Sequence, residues 1–283
     1  MHLADNSDEA MPKEDDSDDP VGELVSIVIP TLNEERTLPL ALRSIERQGH
    51  KCHETIVVDS GSIDRTRDIA LEYGARVIDY PGRTMGARHA GLKESTGPFV
   101  LYLDADQVLR QDTLERALKG IAGRDMLILG EESYEPRGFL QLSIARNREW
   151  LHEVRGGAVP PHLYPRFFRR TILLEAYESI PESTMSRVFA HDDSLLFRKL
   201  SSLSGRIGIV ENAVWHIEEE NWISLMRHAF RTGRSARAVR REELEGLPRS
   251  KEGALERFSR AVKSRSLFVS AVREFFFFLG YRT

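Results

Sequence analysis

The 283-residue sequence lacks the features that mark secreted and membrane-spanning proteins. Its single cysteine, Cys52, excludes an internal disulfide and a CxxC zinc site. No apolar run reaches the ~20 residues that a membrane-spanning helix needs. The N-terminus is acidic, whereas a secretory signal begins with basic residues and continues with an apolar stretch. We therefore expect a cytoplasmic protein.

Several common ligand-binding motifs are also missing. Neither GxGxxG nor GxxxxGK[ST] occurs, which excludes the two commonest nucleotide-binding loops. HExxH and GxSxG are absent too, so neither a zinc protease nor a hydrolase with a nucleophile elbow is indicated. The sequence contains no aromatic and basic RNA-binding module and no helix-turn-helix pattern. Nucleic acid is therefore not an expected partner.

Charge is distributed unevenly, although the net charge at pH 7 is only −4. Residues 1–23 hold nine acidic side chains against one lysine and have almost nothing to bury, so we predict a disordered acidic tail there. From residue 222 onward the chain carries fourteen Lys or Arg against six Glu. This basic part is expected to meet an anionic partner.

Short β-branched runs alternate with helical patterns from residue 24 to residue 129. Such alternation is typical of βαβ units, so we predict an α/β fold with a Rossmann-like, mainly parallel sheet flanked by helices. The predicted strands span 24–29, 55–58, 76–79, 99–103 and 126–129. Polar clusters follow three of them, at 31–34, 59–62 and 104–106. Because ligands of such sheets bind at the carboxyl ends of the strands, these clusters predict one site.

The pair Asp104 and Asp106 is the first candidate for ligand binding. Two carboxylates two residues apart, just beyond a buried strand, suit a ribose at one position and a hard cation such as Mg²⁺ or Mn²⁺ at the other. The alternative is a turn in which the aspartates only cap backbone groups.

Three segments now identify a family resemblance. Residues 25–34 (VSIVIPTLNE), 57–66 (VVDSGSIDRT) and 100–106 (VLYLDAD) resemble, in order and spacing, the signature segments of family-2 glycosyltransferases with the GT-A fold. The resemblance covers about residues 24–132. It implies a nucleoside-diphosphate sugar as donor, with UDP and GDP equally suitable, a divalent metal (Mg²⁺ or Mn²⁺) and an inverting transfer.

The resemblance assigns roles to individual side chains. Those expected to contact the nucleotide are Thr31, Asn33, Glu34 and Asp59, the last of which falls where the family reads the base. Asp104 falls where the family meets the ribose, and Asp106 falls on the metal ligand. Arg83 and Arg88 lie where basic residues approach the donor, the alternative being a solvated helix face.

The second half of the chain offers a catalytic base. Residues 191–198 (HDDSLLFR) resemble the family's Glu-Asp-x-x-Leu segment, which places Asp192 on the base and His191 on the usual glutamate. A shift by one residue would make Asp193 the base, and a helix cap is the non-catalytic alternative. His216 falls where some members complete the metal shell or contact the diphosphate; a packed structural histidine is its alternative.

These assignments divide the chain into four segments. Residues 1–23 are the acidic tail, 24–132 the nucleotide-sugar-binding half, 133–220 the acceptor-binding and catalytic-base half, and 221–283 a basic C-terminal helical extension. In that extension, arginines at 227, 231, 234 and 241 share one helical face and suit a polyanion. Four consecutive phenylalanines, 275–278, indicate either packing on the catalytic domain or peripheral contact with an anionic membrane surface.

Four functions remain open at this point. The first is sugar transfer to a hydroxyl of a glycan or lipid-linked acceptor. The second is a polyprenyl-phosphate sugar synthase, whose phosphate acceptor is already ionised and needs no base. A nucleotidyltransferase is disfavoured because the first strand is followed by TLNE rather than a Gly-rich basic loop. The last is a sugar-nucleotide-binding scaffold without catalysis, which the replacement of the usual glutamate by His191 would explain.

Overall fold

A computed structural model describes residues 22–152, 163–186, 188, 192–238 and 266–282. Almost all of the predicted acidic tail lies outside these residues, as do His191 and Arg241. No helix in the described ranges is long and apolar enough to cross a bilayer.

The strands alternate with helices through the first half, as predicted. The strands are β1 Val25–Thr31, β2 His53–Asp59, β3 Arg76–Asp79, β4 Phe99–Tyr102, β5 Gln107–Leu109, β6 Met126–Ser133, β7 Phe167–Arg169 and β8 Ile207–His216. The helices are α1 Leu38–Glu46, α2 Thr66–Glu72, α3 Thr84–Glu94, α4 Thr113–Ile121, α5 Gly138–His152, α6 Arg170–Glu178, α7 Glu182–Met185, α8 Asp192–Leu203, α9 Trp222–Ala238 and α10 Leu267–Arg282.

The eight strands form one sheet in the order β3-β2-β1-β4-β7-β6-β8-β5. The strands of the first half, β1 to β4, pair in parallel, and β6 pairs in parallel with β8. β7 lies antiparallel between β4 and β6, and the short edge strand β5 runs antiparallel to β8. The sheet is therefore mainly parallel, and the carboxyl ends of β1, β2 and β4 meet at one edge.

Helices cover both faces of the sheet. On one face, the apolar side chains of α1, α2 and α4 pack on alternate residues of the strands. On the other face, α3, α6 and α8 pack on the remaining ones. β1 shows why both layers form: six of its seven residues are buried, as expected for a strand covered on both sides.

The C-terminal helices α9 and α10 pack closely against each other. Glycines make this approach possible, since a Cβ atom at Gly280 would strike the carbonyl of Phe230 and one at Gly233 would strike that of Phe277. Leu225 and Val269 from this pair join Leu140 of α5 in a small apolar cluster. The described helices of the C-terminal segment, α9 and α10, therefore pack against α5.

Candidate active site

The loops after β1 and β2 are braced by the side chain of Asp59. This carboxylate is buried and accepts hydrogen bonds from the backbone N–H of Gly61 (3.2 Å) and Ser62 (3.0 Å). Its other oxygen accepts from the hydroxyls of Thr31 (3.2 Å) and Ser62 (2.5 Å). Asp59 and Thr31, both predicted to contact the nucleotide, are thus hydrogen-bonded to each other at the carboxyl ends of β1 and β2.

Asn33 joins the same two loops from the solvent side. Its backbone has φ of 59°, a left-handed conformation that asparagine tolerates better than most residues. In this conformation its amide oxygen accepts a hydrogen bond from the backbone N–H of Ile63 (2.9 Å), and its own N–H donates to the Ser62 hydroxyl (2.8 Å). The predicted nucleotide loop is therefore held in one shape by paired polar groups.

Glu34 turns toward the carboxylates that follow β4. Its backbone N–H donates to the Thr66 hydroxyl (2.7 Å), and its side chain accepts from the Thr37 hydroxyl (2.8 Å). Burial raises the pKa of Glu34 to about 7; the Thr37 hydrogen bond opposes this, and the negative charge of Asp106 adds to it. The site is thus rich in negative charge at its centre.

Asp104, at the end of β4, is held by two arginines. Arg88 from α3 donates to one of its oxygens (2.6 Å), and Arg166, just before β7, lies 3.0 Å from the other. Burial alone would raise the pKa of Asp104, but Arg166 and Arg88 together hold it well below its usual range. Asp104 is therefore a fixed anion, with 27% of its side chain still exposed.

The predicted base, Asp192, is hydrogen-bonded to the same arginine, Arg88. Asp192 begins α8 and accepts a hydrogen bond from Arg88 Nη1 at 2.6 Å. Asp193 accepts from the same nitrogen at 2.5 Å. Burial raises the pKa of Asp192 to about 6. The positive charge of Arg88 opposes this shift, and the negative charge of Asp193 adds to it.

Asp106 and His216 form the candidate metal site. The Nε2 atom of His216 lies 3.6 Å from Asp106 Oδ2, and His216 Nδ1 contacts the carbonyl of Ile217 at 3.1 Å. The side chain of Asp106 is 40% exposed, and the partial burial of its carboxyl group raises the pKa of Asp106. A carboxylate and an imidazole suit Mn²⁺ or Mg²⁺ when water and phosphate oxygens complete the shell.

The described residues contain no group of three His, Cys, Asp or Glu side chains able to close a metal shell. Asp106 and His216 fit an ion that also takes ligands from water and from a bound phosphate, because a carboxylate and an imidazole fill only part of the shell of a hard divalent cation. This is the donor set expected for an ion that a diphosphate helps to hold.

A second layer of polar residues supports these groups and was not predicted from the sequence. Gln107 accepts a hydrogen bond from the Asp104 N–H (2.9 Å) and donates to Glu131 (2.9 Å). Arg148 of α5 then joins Glu131 (2.7 Å) to Glu218 (2.6 Å). Only the three-dimensional fold brings these residues together, because they come from β5, β6, α5 and the segment after β8.

Arg83 and Arg88, predicted together, separate in the structure. Arg83 precedes α3 and is exposed, whereas Arg88 is 3% exposed and bonded to three carboxylates. Arg231 of α9 lies near Arg83: burial and the charge of Arg83 lower its pKa, while Glu34 opposes the shift. Arg231, one of the arginines of the predicted basic face, therefore lies within electrostatic range of Arg83 and Glu34.

The polar loops after β1, β2 and β4 lie in a segment that is similar to a known family. Residues 26–152 match the model of the family described as glycosyl transferase family 2. These residues, called the family-2 domain below, are therefore similar to that family over somewhat less than half of the chain. The match includes β1, β2 and β4 and the polar loops that follow them, and it ends before Arg166, Asp192 and His216.

Among curated proteins, the family-2 domain is similar to an uncharacterised glycosyltransferase of Mycobacterium tuberculosis. The two are 40% identical over 86 residues, which are 30% of this chain and 38% of that protein. The chain thus spans well under half the length of this relative.

Solved structures show the same fold over much more of the chain. S. aureus TarS 1–349 in complex with UDP-GlcNAc superposes with a TM-score of 0.57 and 19% identity, covering 91% of this chain and 89% of TarS 1–349. A mannosyltransferase from Pyrobaculum calidifontis in complex with GDP-Man and Mn²⁺ gives 0.55 and 22%, covering 88% and 73%. The family-2 domain and much of the second half therefore share one GT-A fold.

Proposed function

We propose that the protein is an inverting, metal-dependent glycosyltransferase that moves a sugar from a nucleoside-diphosphate sugar to a hydroxyl of a glycan or lipid-linked acceptor. One observation carries this proposal: the fixed anion at the end of β4, Asp104, and the candidate base, Asp192, are bonded to the same buried guanidinium, that of Arg88. The groups for binding the donor and for activating the acceptor therefore meet at one point.

In this proposal the donor lies across the carboxyl ends of β1, β2 and β4. Thr31, Asn33 and Asp59 contact the nucleoside, and Asp104 faces the ribose. Arg83 at the rim offers positive charge to the diphosphate. The neighbouring folds support a nucleotide sugar, since TarS holds UDP-GlcNAc and the Pyrobaculum enzyme holds GDP-Man.

Asp106 and His216 would hold the divalent ion. When bound, such an ion stabilises the negative charge that grows on a departing diphosphate. Mn²⁺ in the Pyrobaculum complex supports a divalent ion here, with Mg²⁺ as the other candidate.

Asp192 takes the proton of the acceptor hydroxyl. The acceptor oxygen bonds to the anomeric carbon from the side opposite the diphosphate, the bond to the diphosphate breaks, and the nucleotide leaves with that electron pair. A carboxylate with a pKa of about 6 is mostly ionised at pH 7 and more basic than an ordinary aspartate. Asp192 is preferred over Asp193, because Asp193 is paired with both Arg88 and Arg166.

Calorimetric titration with UDP and with GDP tests the donor site. Each nucleotide is titrated with and without Mn²⁺ into the wild-type chain, Asp106→Ala and the control Asp112→Ala, whose carboxylate is exposed and paired with Arg116. We expect one of the two nucleotides to bind to the wild type and to Asp112→Ala when Mn²⁺ is present and not when it is absent. We expect no such binding to Asp106→Ala. If neither nucleotide binds, the scaffold and the transferase are both excluded at this site.

Asp192→Asn tests the acceptor class. A hydroxyl acceptor needs a base, so this change should lower turnover by about 10²-fold or more. A polyprenyl phosphate is ionised already, so near-normal turnover of Asp192→Asn with such a lipid would instead establish a polyprenyl-phosphate sugar synthase.

We also propose that the helical extension brings the enzyme to an anionic membrane surface on the cytoplasmic side. Phe268, Phe275 and Phe278 of α10 are 61, 63 and 52% exposed and recur at spacings of seven and three, so they share one face. Exposed aromatic side chains on a helix of a basic segment are typical of interfacial helices. A surface location would suit a lipid-linked acceptor.

A further inference from the structure

Arg88 has an unusual position for an arginine on a helix next to a cleft. It is 3% exposed, and its guanidinium donates to Asp192 (2.6 Å) and Asp193 (2.5 Å) through Nη1 and to Asp104 (2.6 Å) through Nη2. It also lies over the ring of Tyr102, 5.6 Å from the ring centroid. Within the part of the chain that the structure describes, the hydrogen bonds of its guanidinium are thus to protein carboxylates.

The three carboxylates come from opposite halves of the site. Asp104 follows β4 in the family-2 domain, whereas Asp192 and Asp193 begin α8 in the second half. Arg166 also connects the two halves, because its Nη2 lies 3.0 Å from Asp104 and 3.3 Å from Asp193. Two guanidinium groups therefore bind three carboxylates, and of these two groups it is Arg88 that is hydrogen-bonded to Asp192.

We propose that Arg88 is a positioning residue that fixes the orientation of the base Asp192 relative to the donor carboxylate Asp104, so that acceptor activation is coupled to the donor site. This inference rests on the proposed function, because it requires that Asp192 accept a proton. Arg88 itself contacts neither substrate in this assignment.

The geometry of a guanidinium supports this role. Its planar fork directs two nitrogens in fixed directions, so one side chain sets the separation and angle of the carboxylates at its two ends. A lysine at the same place would supply one charge as a point, without a defined angle between its partners. Arg88→Lys therefore removes the orientation while it keeps the buried positive charge.

Removal of the charge should also move the proton affinity of Asp192. The groups that face Asp192 are Arg88 from α3, Asp193 in its own helix, Arg166 before β7, Asp104 after β4 and the phenols of Tyr102 and Tyr177. Of these, Arg88 contributes the largest favourable charge to the ionised carboxylate. Without it, ionisation of Asp192 requires a higher pH.

The experiment compares the wild type with Arg88→Lys, Arg88→Gln and a control, Arg76→Lys, whose arginine is half exposed on the edge strand β3 and pairs with Glu94. Sugar transfer is measured from pH 5 to pH 9 at saturating donor, together with the donor KM and thermal unfolding. For Arg88→Lys we expect kcat to fall about 10- to 100-fold with the donor KM within about threefold of the wild type. For Arg88→Gln we expect the acid limb of the pH profile to move upward by about one unit or more and free guanidinium to restore part of kcat.

Two outcomes would overturn the proposal. One is an Arg88→Lys enzyme with wild-type kcat. The other is a loss of kcat in Arg88→Gln with an unmoved acid limb and no rescue by guanidinium, which would make Arg88 structural only. If Arg88→Gln does not fold, the double variant Arg88→Gln/Asp193→Asn removes one charge of each sign, and the upward shift of its acid limb relative to Asp193→Asn alone decides. Asp192→Asn distinguishes failure of the proposed function from failure of this inference. Full activity of Asp192→Asn would refute the role of Asp192 as the base. Inactive Asp192→Asn together with an Arg88→Lys enzyme of wild-type kcat would refute only the coupling.

Discussion

The imidazole of His216, the last residue of β8, lies 3.6 Å from the carboxylate of Asp106, which immediately precedes β5 in the first half of the chain. The antiparallel pairing of β5 with β8 produces this approach, because Gln107, next to Asp106, is directly opposite His216. A further backbone hydrogen bond, from Ile217 N–H to the Asp106 carbonyl (2.8 Å), fixes the two segments together.

His216→Ala should therefore weaken metal binding without removing it. Asp106 would remain as a ligand, so we expect the Mn²⁺ concentration for half-maximal nucleotide binding to rise by about 10-fold or more. Titration of Mn²⁺ at fixed UDP or GDP measures this change. His228→Ala is the matched control, because that histidine is exposed on α9 and pairs with Glu219. An unchanged titration in His216→Ala would show that the histidine is only packed beside the site.

The high pKa of Glu34 predicts a dependence of stability on pH. The carboxyl has a pKa of about 7 in the folded chain against an ordinary value of 4.5, so the folded state binds its proton more tightly than the unfolded state. The free energy of unfolding should therefore decrease as pH rises from about 4.5 to about 7, and this contribution should be constant above that range.

Glu34→Gln removes this part of the pH dependence. Unfolding by urea at pH 5 and pH 7, with a chelator present so that no cation neutralises the site, measures it. We expect the loss of stability between the two values to be smaller in Glu34→Gln than in the wild type. Glu35→Gln, an exposed neighbour, should keep the wild-type difference. Equal differences in all three proteins would contradict the assignment.

The sequence predicted the donor half of this site because its residues depend on strand ends alone. Thr31, Asp59 and Asp104 follow three parallel strands, and parallel strands carry such residues to one edge whatever the loops do. Strand β3 was predicted over the residues that the structure shows, since its pattern is uninterrupted.

The remainder of the site depends on contacts that no local pattern encodes. β7 is only three residues long and enters the sheet antiparallel, yet it places Arg166 beside Asp104. Arg88 looked equivalent to Arg83 in the sequence, because both are basic residues near the start of one helix. Burial separates them, because Arg88 lies against Tyr102 of β4 and the carboxylates at the start of α8, contacts that neither segment predicts by itself.

Asp59 should be essential for the shape of the nucleotide loop as well as for binding. Asp59→Ala would leave the N–H groups of Gly61 and Ser62 without their acceptor, at a cost of about 1–3 kcal/mol in the free energy of unfolding. We expect nucleotide binding to be lost in the same variant. Asp79→Asn, at the exposed end of β3, serves as the control in calorimetry and urea unfolding. Retained binding in Asp59→Ala would exclude this loop from the nucleotide site.

The close contact of α9 with α10 gives a prediction about the extension. Gly280→Ala would place a methyl group against the carbonyl of Phe230, which is backbone and cannot rotate away. The helices would have to separate, so we expect destabilisation of about 1–3 kcal/mol, measured by thermal unfolding. Gly205→Ala, where no atom lies within 4 Å of the added carbon, is the control. An unchanged unfolding midpoint for Gly280→Ala would mean that the two helices are not packed as described.

Membrane attachment is tested by the exposed phenylalanines of α10. Phe275 and Phe278 are three residues apart on one face, so their joint replacement by serine removes apolar surface that membrane insertion would bury. Co-sedimentation with vesicles of phosphatidylglycerol and phosphatidylcholine measures binding, and we expect the double variant to lose it at least about 10-fold. Ile63→Ser, which removes an exposed apolar side chain from the loop after β2, should bind as the wild type does. Equal binding to vesicles of phosphatidylcholine alone would remove the anionic part of the proposal. A concentration-dependent dimer that the double variant abolishes, with no vesicle binding by the wild type, would assign this face to a second copy of the chain.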